Sequence, residues 1–274
     1  MAAVLDTREL TPVTKLLVLE APLVARHARP GQFVIVRVNA HGERVPISLT
    51  DFDPAAGTIT VVVQRVGKTS GLICALEPGD EMLDVAGPLG RPVELPTEGH
   101  AVLVAGGFGA GAIHPLAREL QERLVLVTVI VGARTAELVI LRDLLEPVSD
   151  ELLVCTDDGS LGYHGFTAQL LADRLAGGAP FTDCFAVGPV AMMRAVAEVT
   201  GPHGLHTLVS LDPIMLDGTG MCGACRVTVS GETKFACIDG PFFDAHAIDF
   251  DEAIVRSKMY VDEEHVALEP VGAR

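Results

Sequence analysis

A change of hydrophobic rhythm near residue 100 constrains this chain more than any other feature. Before it come short runs rich in Val, Ile and Leu: "KLLVLEAP", "QFVIVRVN", "RVPISLTDF", "TITVVVQRV" and "EMLDVAGPLG". Pro, Gly, Asn or Asp separates them. Short strands at regular spacing with turn signals between them predict an antiparallel sandwich or barrel. One helical interruption is predicted at "TSGLICALEPG", with Thr69 or Ser70 as N-cap and Pro78-Gly79 as the stop. From His100 strands alternate with helices. "AVLVAGG", "LVLVTVIVGA", "ELLVCTDDG", "DCFAVGP" and "LHTLVSL" read as strands, and "AIHPLARELQER", "AELVILRDLLEPV", "GFTAQLLADRLAGG" and "AMMRAVAEVTG" as helices. That rhythm belongs to βαβ units around a parallel sheet. Beyond residue 212 a cysteine-bearing segment begins with few helix signals. The expected fold class is β plus α/β: a β-barrel domain over 1–96, a parallel α/β nucleotide-binding domain over 97–212, and a small third domain with a tail over 213–274. The 274 residues suffice for two or three such units.

Charge narrows the function classes. Twenty Lys and Arg face 36 Asp and Glu, a formal net charge of −16. Nucleic acid is therefore an unsuitable partner, since phosphate contacts need Lys and Arg. The N-terminal "MAAVLDTREL" has no basic stretch followed by an apolar one, and the most apolar runs are too short or too interrupted to span a bilayer. The expectation is a soluble cytoplasmic protein with no membrane association, in which close-set cysteines bind metal rather than pair as disulfides.

Three places carry chemistry. In "AGGFGAGA", Gly107, Gly109 and Ala112 fit G-x-G-x-x-G/A between a strand and a helix, a turn that lets a pyrophosphate approach the backbone. The second strand ends in "VIVGART" with Arg134 and no acid, so this is a nicotinamide site of another lineage than the common dehydrogenase. "GKTS" (Gly67–Ser70) ends like a P-loop, but Val62 stands where the first glycine belongs, which excludes an ATPase or GTPase. The turn retains the capacity to hold phosphate by its N–H groups. In "RVPISL", Arg44 alone reads as an exposed strand residue. Paired with the GKTS turn, it is placed to reach a pyrophosphate while the Pro46–Ser48 backbone lies along a flat ring.

The third place is "LDGTGMCGACRVTVSGETKFAC". Asp217, Cys222, Cys225 and Cys237 follow the C-x4-C-x2-C spacing and distant fourth ligand of plant-type [2Fe–2S] ferredoxins, with Asp in the first seat. Two readings of Asp217 stand: a fourth ligand, or a turn residue in "DGTG". A Cys3Asp zinc site is the rival for the set. Cys74, Cys155 and Cys184 lie in apolar runs and read as core thiols. His114 and His164 adjoin glycine-rich turns and read as satisfied, partly exposed side chains.

With these parts in order, the chain resembles the ferredoxin–NADP reductase superfamily over nearly its whole length. Within it, the chain is similar to the branch holding the dihydroorotate dehydrogenase electron-transfer subunit and the small subunit of NADH-dependent reduced ferredoxin:NADP oxidoreductase (sulfide dehydrogenase). The most specific stretch is "SLDPIMLDGTGMCGACRVTVSGETKFACIDGPFFDAHAIDFDE". Its Asp-Cys-Cys-Cys set matches the second relative, where the dihydroorotate branch has four Cys, and favours Asp217 as a ligand.

The resemblance implies that Arg44, Pro46, Ile47 and Ser48 border FAD and that Gly67, Thr69 and Ser70 hold its pyrophosphate. It implies that Gly107 and Gly109 face NAD(H), that Gly188, Pro189 and Met192 line the same crevice, and that Asp157, Asp158 and Gly159 lie near the nucleotide. Two departures are Pro46 in place of the flavin-strand aromatic and Val187 in place of the Cys before Gly-Pro. The implied role is electron transfer between NAD(H), FAD and a [2Fe–2S] cluster, beside a larger flavin and iron–sulfur subunit through which ferredoxin is met. An electron-transfer subunit of dihydroorotate dehydrogenase or of a hydrogenase is the alternative enzyme. A zinc-stapled binding module is the alternative of another class.

Overall fold

The computed structural model describes residues 1–260 together with 263 and 266, so the end of the expected 213–274 segment lies outside the described residues. The first unit is a seven-stranded, near-closed antiparallel barrel. Its strands are β1 (Ala2–Thr11), β2 (Thr14–Glu20), β3 (Phe33–Arg37), β4 (Val45–Asp53), β5 (Thr58–Gln64), β6 (Glu81–Met82) and β7 (Asp84–Leu89), in the order β6-β1-β2-β5-β4-β3-β7. Alternate residues of these strands face inward, and Val4, Leu17, Leu19, Val34, Val36, Ile59 and Val61 fill the interior. Helices α1 (Pro22–His27) and α2 (Lys68–Cys74) cover it.

Four local features differ from the sequence reading or were missed by it. β1 is the longest strand of the barrel, although "AAVLDTRELT" is half polar; only one of its faces is buried. α1 has six residues, too few to show a period. α2 starts at Lys68 with Gly67 as N-cap, rather than Thr69 or Ser70, and ends at Cys74, before Pro78-Gly79. The expected strand "EMLDVAGPLG" is split into β6 and β7.

The second unit is built on strands β8 (His100–Gly106), β9 (Leu126–Ala133), β10 (Glu151–Thr156), β11 (Tyr163–His164), β12 (Asp183–Val187) and β13 (His206–Ser210), all parallel. Helices α3 (Gly109–Glu122), α5 (Thr167–Ala176) and α6 (Val190–Thr200) connect them, with the short α4 (Arg142–Leu145) between β9 and β10. The sheet order is β11-β10-β9-β8-β12-β13. The chain builds outward from β8 in one direction, then crosses to β12 on the other side. The switch point therefore lies between the C-terminal ends of β8 and β12, where open α/β sheets bind ligands. The single helix expected over "AELVILRDLLEPV" is broken into two short 3-10 turns and α4, because Leu141 takes φ +59. Burial of Ile140 and Leu141 overrides the local helical pattern.

The third segment supplies the hairpin β14 (Arg226–Val229) and β15 (Glu232–Phe235), then α7 (Ala236–Asp239), β16 (Phe242–Asp244) and α8 (Phe250–Arg256). β16 pairs antiparallel with β13 and so extends the parallel sheet. The barrel is locked to the sheet through α3. His114 is buried, its Nδ1 2.8 Å from the Thr50 carbonyl, so it is less exposed than expected. Arg118 pairs with Asp51 and lies 4.9 Å over the Phe52 ring. No helix among the described residues is long and apolar enough to cross a membrane.

Candidate functional site

A cleft of about 860 Å³ opens where the barrel meets the sheet. That volume falls in the range of small-molecule and cofactor sites. The cleft gathers Arg44, Pro46, Ile47 and Ser48 from β4 and the turn before it, Gly67, Thr69 and Ser70 from the GKTS turn, and Gly109 and Gly188 from the α/β unit. Proximity of β4 to the GKTS turn follows from the antiparallel pairing of β4 and β5, which brings the end of β5 and the turn after it alongside. Arg44 has no carboxylate within ion-pair distance among the described residues, which leaves a free cation at the rim. Thr69 Oγ1 donates to Glu43 at 2.7 Å. The Ser70 hydroxyl accepts from the Val66 and Gly67 N–H groups at 3.0 and 2.9 Å, closing the turn.

At the switch point the backbones approach as closely as atoms allow. A Cβ on Gly109 would sit 2.2 Å from the Val187 carbonyl oxygen, and one on Gly106 would sit 2.6 Å from Met192 Sδ and 3.0 Å from Pro189 Cδ. Pro189 and Met192 thus pack against the β8 turn without reaching the large cleft. Gly107, at φ +56, faces open space and also lies off the cleft lining. Asp157, Asp158 and Gly159 stand at the end of β10, separated from β12 by β9 and β8, and do not line the cleft. The Asp158 carboxylate accepts from Ser160 N and Oγ at 3.0 and 2.6 Å, and the hydroxyl first of all holds its carboxyl below the usual range. The His164 ring packs against Gly159.

Sequence reasoning assigned no role to the strip Ser210–Leu216, which lines the cleft on leaving β13. Its Asp212 makes no side-chain hydrogen bond among the described residues; it is exposed to the cleft, and the protein crowded around it raises its carboxyl to about 6. The strip leads straight into the cysteine loop. There Asp217 accepts from the Thr219 and Cys222 N–H groups at 2.8 and 2.7 Å, as a turn residue does, and the Thr219 bond first, then the Cys222 bond, lower its pKa. Gly218, Gly220 and Gly223 take φ +72, +82 and +68, left-handed conformations that wind the loop tightly. Cys225 and Cys237 are buried and adjacent, with the Cys237 N–H 3.5 Å from Cys225 Sγ, while Cys222 is exposed. Burial, then the neighbouring Cys225 thiol, pushes Cys237 up to about 12. Asp217 lies near enough to Cys237 to add to that rise. No three His, Cys, Asp or Glu side chains among the described residues form a ready-made metal cage; the donors stand as neighbouring pairs. A thiol held this strongly protonated becomes a ligand only when a cation displaces its proton. The donor set, three thiols and a carboxylate on a glycine-wound loop, fits an iron–sulfur cluster. Cys74, Cys155 and Cys184 are buried, as expected of core thiols.

The iron-sulfur cluster binding domain of dihydroorotate dehydrogenase B matches residues 212–249. The Thermotoga maritima homolog of the dihydroorotate dehydrogenase B (NAD(+)) electron transfer subunit is 44% identical over 92% of this chain and 88% of its own length. The corresponding subunit of Geobacillus kaustophilus is 36% identical over 84% and 90%. The chain belongs to the dihydroorotate dehydrogenase B electron-transfer subunit family. A solved chain of the NADH-dependent reduced ferredoxin-NADP oxidoreductase, studied for flavin-based electron bifurcation, is also similar: TM-score 0.93 and 39% identity, covering 97% of this chain and 96% of that one. Amycolatopsis cytochrome P450 reductase shares the fold at TM-score 0.64 and 23% identity, over 74% and 66% of the two chains. The reductase-like barrel and α/β pair, followed by an iron–sulfur binding segment, is therefore the architecture of this electron-transfer family member, as its motifs implied. The family's iron–sulfur segment begins at Asp212, inside the cleft lining, and runs through β16 to Asp249.

Proposed function

We propose that the chain moves electrons between NAD(H), FAD and a [2Fe–2S] cluster as the smaller subunit of a complex with a larger flavin and iron–sulfur subunit. One observation carries this reading: the strip Ser210–Leu216 lines the large cleft and continues without interruption into the cysteine loop. A group in the cleft and a group on the loop are thereby neighbours along the chain. When bound, FAD and the cluster supply hydride acceptance and one-electron transfer respectively. The protein's part is to bind and orient. Arg44 offers the cleft a cation, Pro46–Ser48 a backbone wall for a flat ring, and the GKTS turn its N–H groups for phosphate. Thr69 adds a hydroxyl once it turns from Glu43. Gly107 and Gly109, with Gly188, Pro189 and Met192 across the switch point, form the crevice for the nicotinamide nucleotide, with Asp157, Asp158 and Gly159 at its outer edge. Asp217, Cys222, Cys225 and Cys237 would hold the cluster.

The same cleft and loop serve either of the two complexes named among the relatives. The Asp217 seat favours the oxidoreductase that links NADH, NADP and ferredoxin, with ferredoxin met through the larger subunit. The dihydroorotate dehydrogenase complex is the second reading, favoured by the names of the Thermotoga and Geobacillus relatives. The test is the visible spectrum of the anaerobically purified chain before and after NADH. Flavin bands with broad cluster absorbance, bleached by NADH, are expected; a colourless, zinc-containing protein would overturn the proposal.

A further inference from the structure

Among the described residues, seven arginines of this acidic chain meet carboxylates. Arg8, Arg37, Arg91, Arg118, Arg123, Arg174 and Arg194 all lie within ion-pair distance of an Asp or Glu. Two others do not. Arg226 Nη1 donates to the Gly223 carbonyl at 2.7 Å, and Arg256 Nη2 donates to the Ala224 carbonyl at 2.8 Å. Those are consecutive peptide carbonyls, and they fill the two positions between Cys222 and Cys225. Arg226 comes from the first residue of β14 and Arg256 from the last residue of α8, so two separate elements converge on one dipeptide. Neither guanidinium has a carboxylate within 4 Å among the described residues. Asp212, Asp249 and Glu252 line the same small pocket without pairing. The Arg256 Nε is buried and without a hydrogen-bond partner. A buried, unpaired polar group on a cation is costly in a merely structural tie, but the same positive charge is favourable beside an anionic centre.

We propose that Arg226 and Arg256 are positioning residues that clamp the cysteine loop and, by positive charge that no carboxylate pairs within 4 Å among the described residues, raise the reduction potential of the iron–sulfur cluster that loop holds. Each one-electron reduction adds one negative charge to the cluster, and a fixed cation nearby stabilises the reduced form more than the oxidised form. Net charge and local hydrogen bonds are established determinants of cluster potential. Arg91 is the internal control. Its Nε donates to the Ile238 carbonyl at 3.0 Å, beside Cys237, but, exposed like Arg226, it faces Asp239 at 3.6 Å. It ties the loop while Asp239 balances its charge.

The inference rests on the proposed cluster reading, and the test separates the two. The full chain is purified anaerobically as wild type, R226Q, R256Q, R256K and R91Q. Iron content, the electron paramagnetic resonance spectrum of the reduced cluster, and its midpoint in a redox titration are measured. A wild-type chain that carries no iron overturns the cluster reading itself. With iron present, R226Q and R256Q are expected to bind it and to show a lower midpoint. The ratio of reduced to oxidised cluster at a fixed potential falls on the order of tenfold, the effect of one charge several ångströms away at moderate dielectric. R256K keeps the charge and stays near wild type, and R91Q barely moves. Unchanged midpoints in the Gln variants, or a shift in R91Q as large as in R256Q, overturn the proposal. Should R256Q fail to load iron, R256K decides: iron retained at the wild-type midpoint supports the charge role, whereas loss of iron or a shifted midpoint overturns it.

Discussion

Two glycine-rich stretches of this protein use the same residue for opposite reasons. In Gly106–Gly111, glycine is required because there is no room. Side chains at 106, 109 and 111 would meet Met192, the Val187 carbonyl and Thr50 at 2.2–2.7 Å. In Gly218–Gly223, glycine is required because the backbone is left-handed at 218, 220 and 223. The first loop is shaped from outside, by a neighbouring strand and by β4. The second is shaped from within, by its own torsions and the Asp217 carboxylate. A loop of the first kind fails when a neighbour is crowded, and one of the second kind when its own conformation is made expensive.

The largest effect is expected where crowding is against backbone. Gly109→Ala drives a methyl into the Val187 carbonyl, which no rotamer change relieves. We expect a loss of about 3 kcal/mol or more, with displacement of the β12–α6 turn and loss of nucleotide binding. Denaturant melts and nucleotide titration check it, and a near-neutral Ala would refute outside shaping. Next comes Asp217→Ala, which strips an acceptor from two backbone N–H groups. About 2 kcal/mol of loop stability is expected to go, with iron content falling while the chain stays folded by circular dichroism. Asp217→Cys should retain iron. Retention of full iron by Asp217→Ala would leave the carboxylate a turn residue only.

Gly218→Ala should cost about 1.5 kcal/mol, mostly torsional. The atoms its methyl would meet are the ends of the Leu89 and Ile35 side chains, which can yield. Gly218→Asn should recover part of that, because Asn tolerates the left-handed region. Gly107 sharpens the comparison: it sits in the first stretch but has φ +56 and open space around it. Gly107→Ala should therefore behave like the second stretch and cost about 1 kcal/mol, far less than its neighbour at 109.

The smallest effect concerns Asp212, between the two loops. The protein crowded around it raises its carboxyl from an ordinary value near 3.8 to about 6, so folding disfavours the charged form. The group costs nothing below pH 3.8, and stability then falls as pH rises toward 6 and stays level above it. The residue is exposed to cleft water, which screens it, so at most about 1 kcal/mol is expected. Asp212→Asn should flatten that slope in urea melts of the unliganded chain; an unchanged slope would assign it to another group.

The barrel, the parallel sheet and the order of cofactor motifs were legible because each rests on short-range pattern. Alternation and buried runs mark strands, and glycine spacing marks the β8–α3 turn. What was not legible depends on partners far along the chain. Thr50 gave no signal, since its role is to meet His114, 64 residues away. The broken helix at 136–148 carries a helical pattern that only the burial of Ile140 and Leu141 overrides. Asp212 lay within a quoted motif, but nothing local told that it lines a cleft. Arg256 lay in no motif at all, because its contact with Ala224 is made through α8.

β16 adds a consequence of another kind. By pairing Phe242–Asp244 with Leu208–Ser210, the cysteine segment finishes the parallel sheet as well as following it. A version of the protein cut before residue 213 would leave β13 with a row of unsatisfied peptide groups along apolar residues, a template for sheet growth between molecules. The iron-binding segment therefore serves as the stopper of that edge. Recombining these units, in the laboratory or over evolutionary time, requires any replacement for the segment to bring its own edge strand.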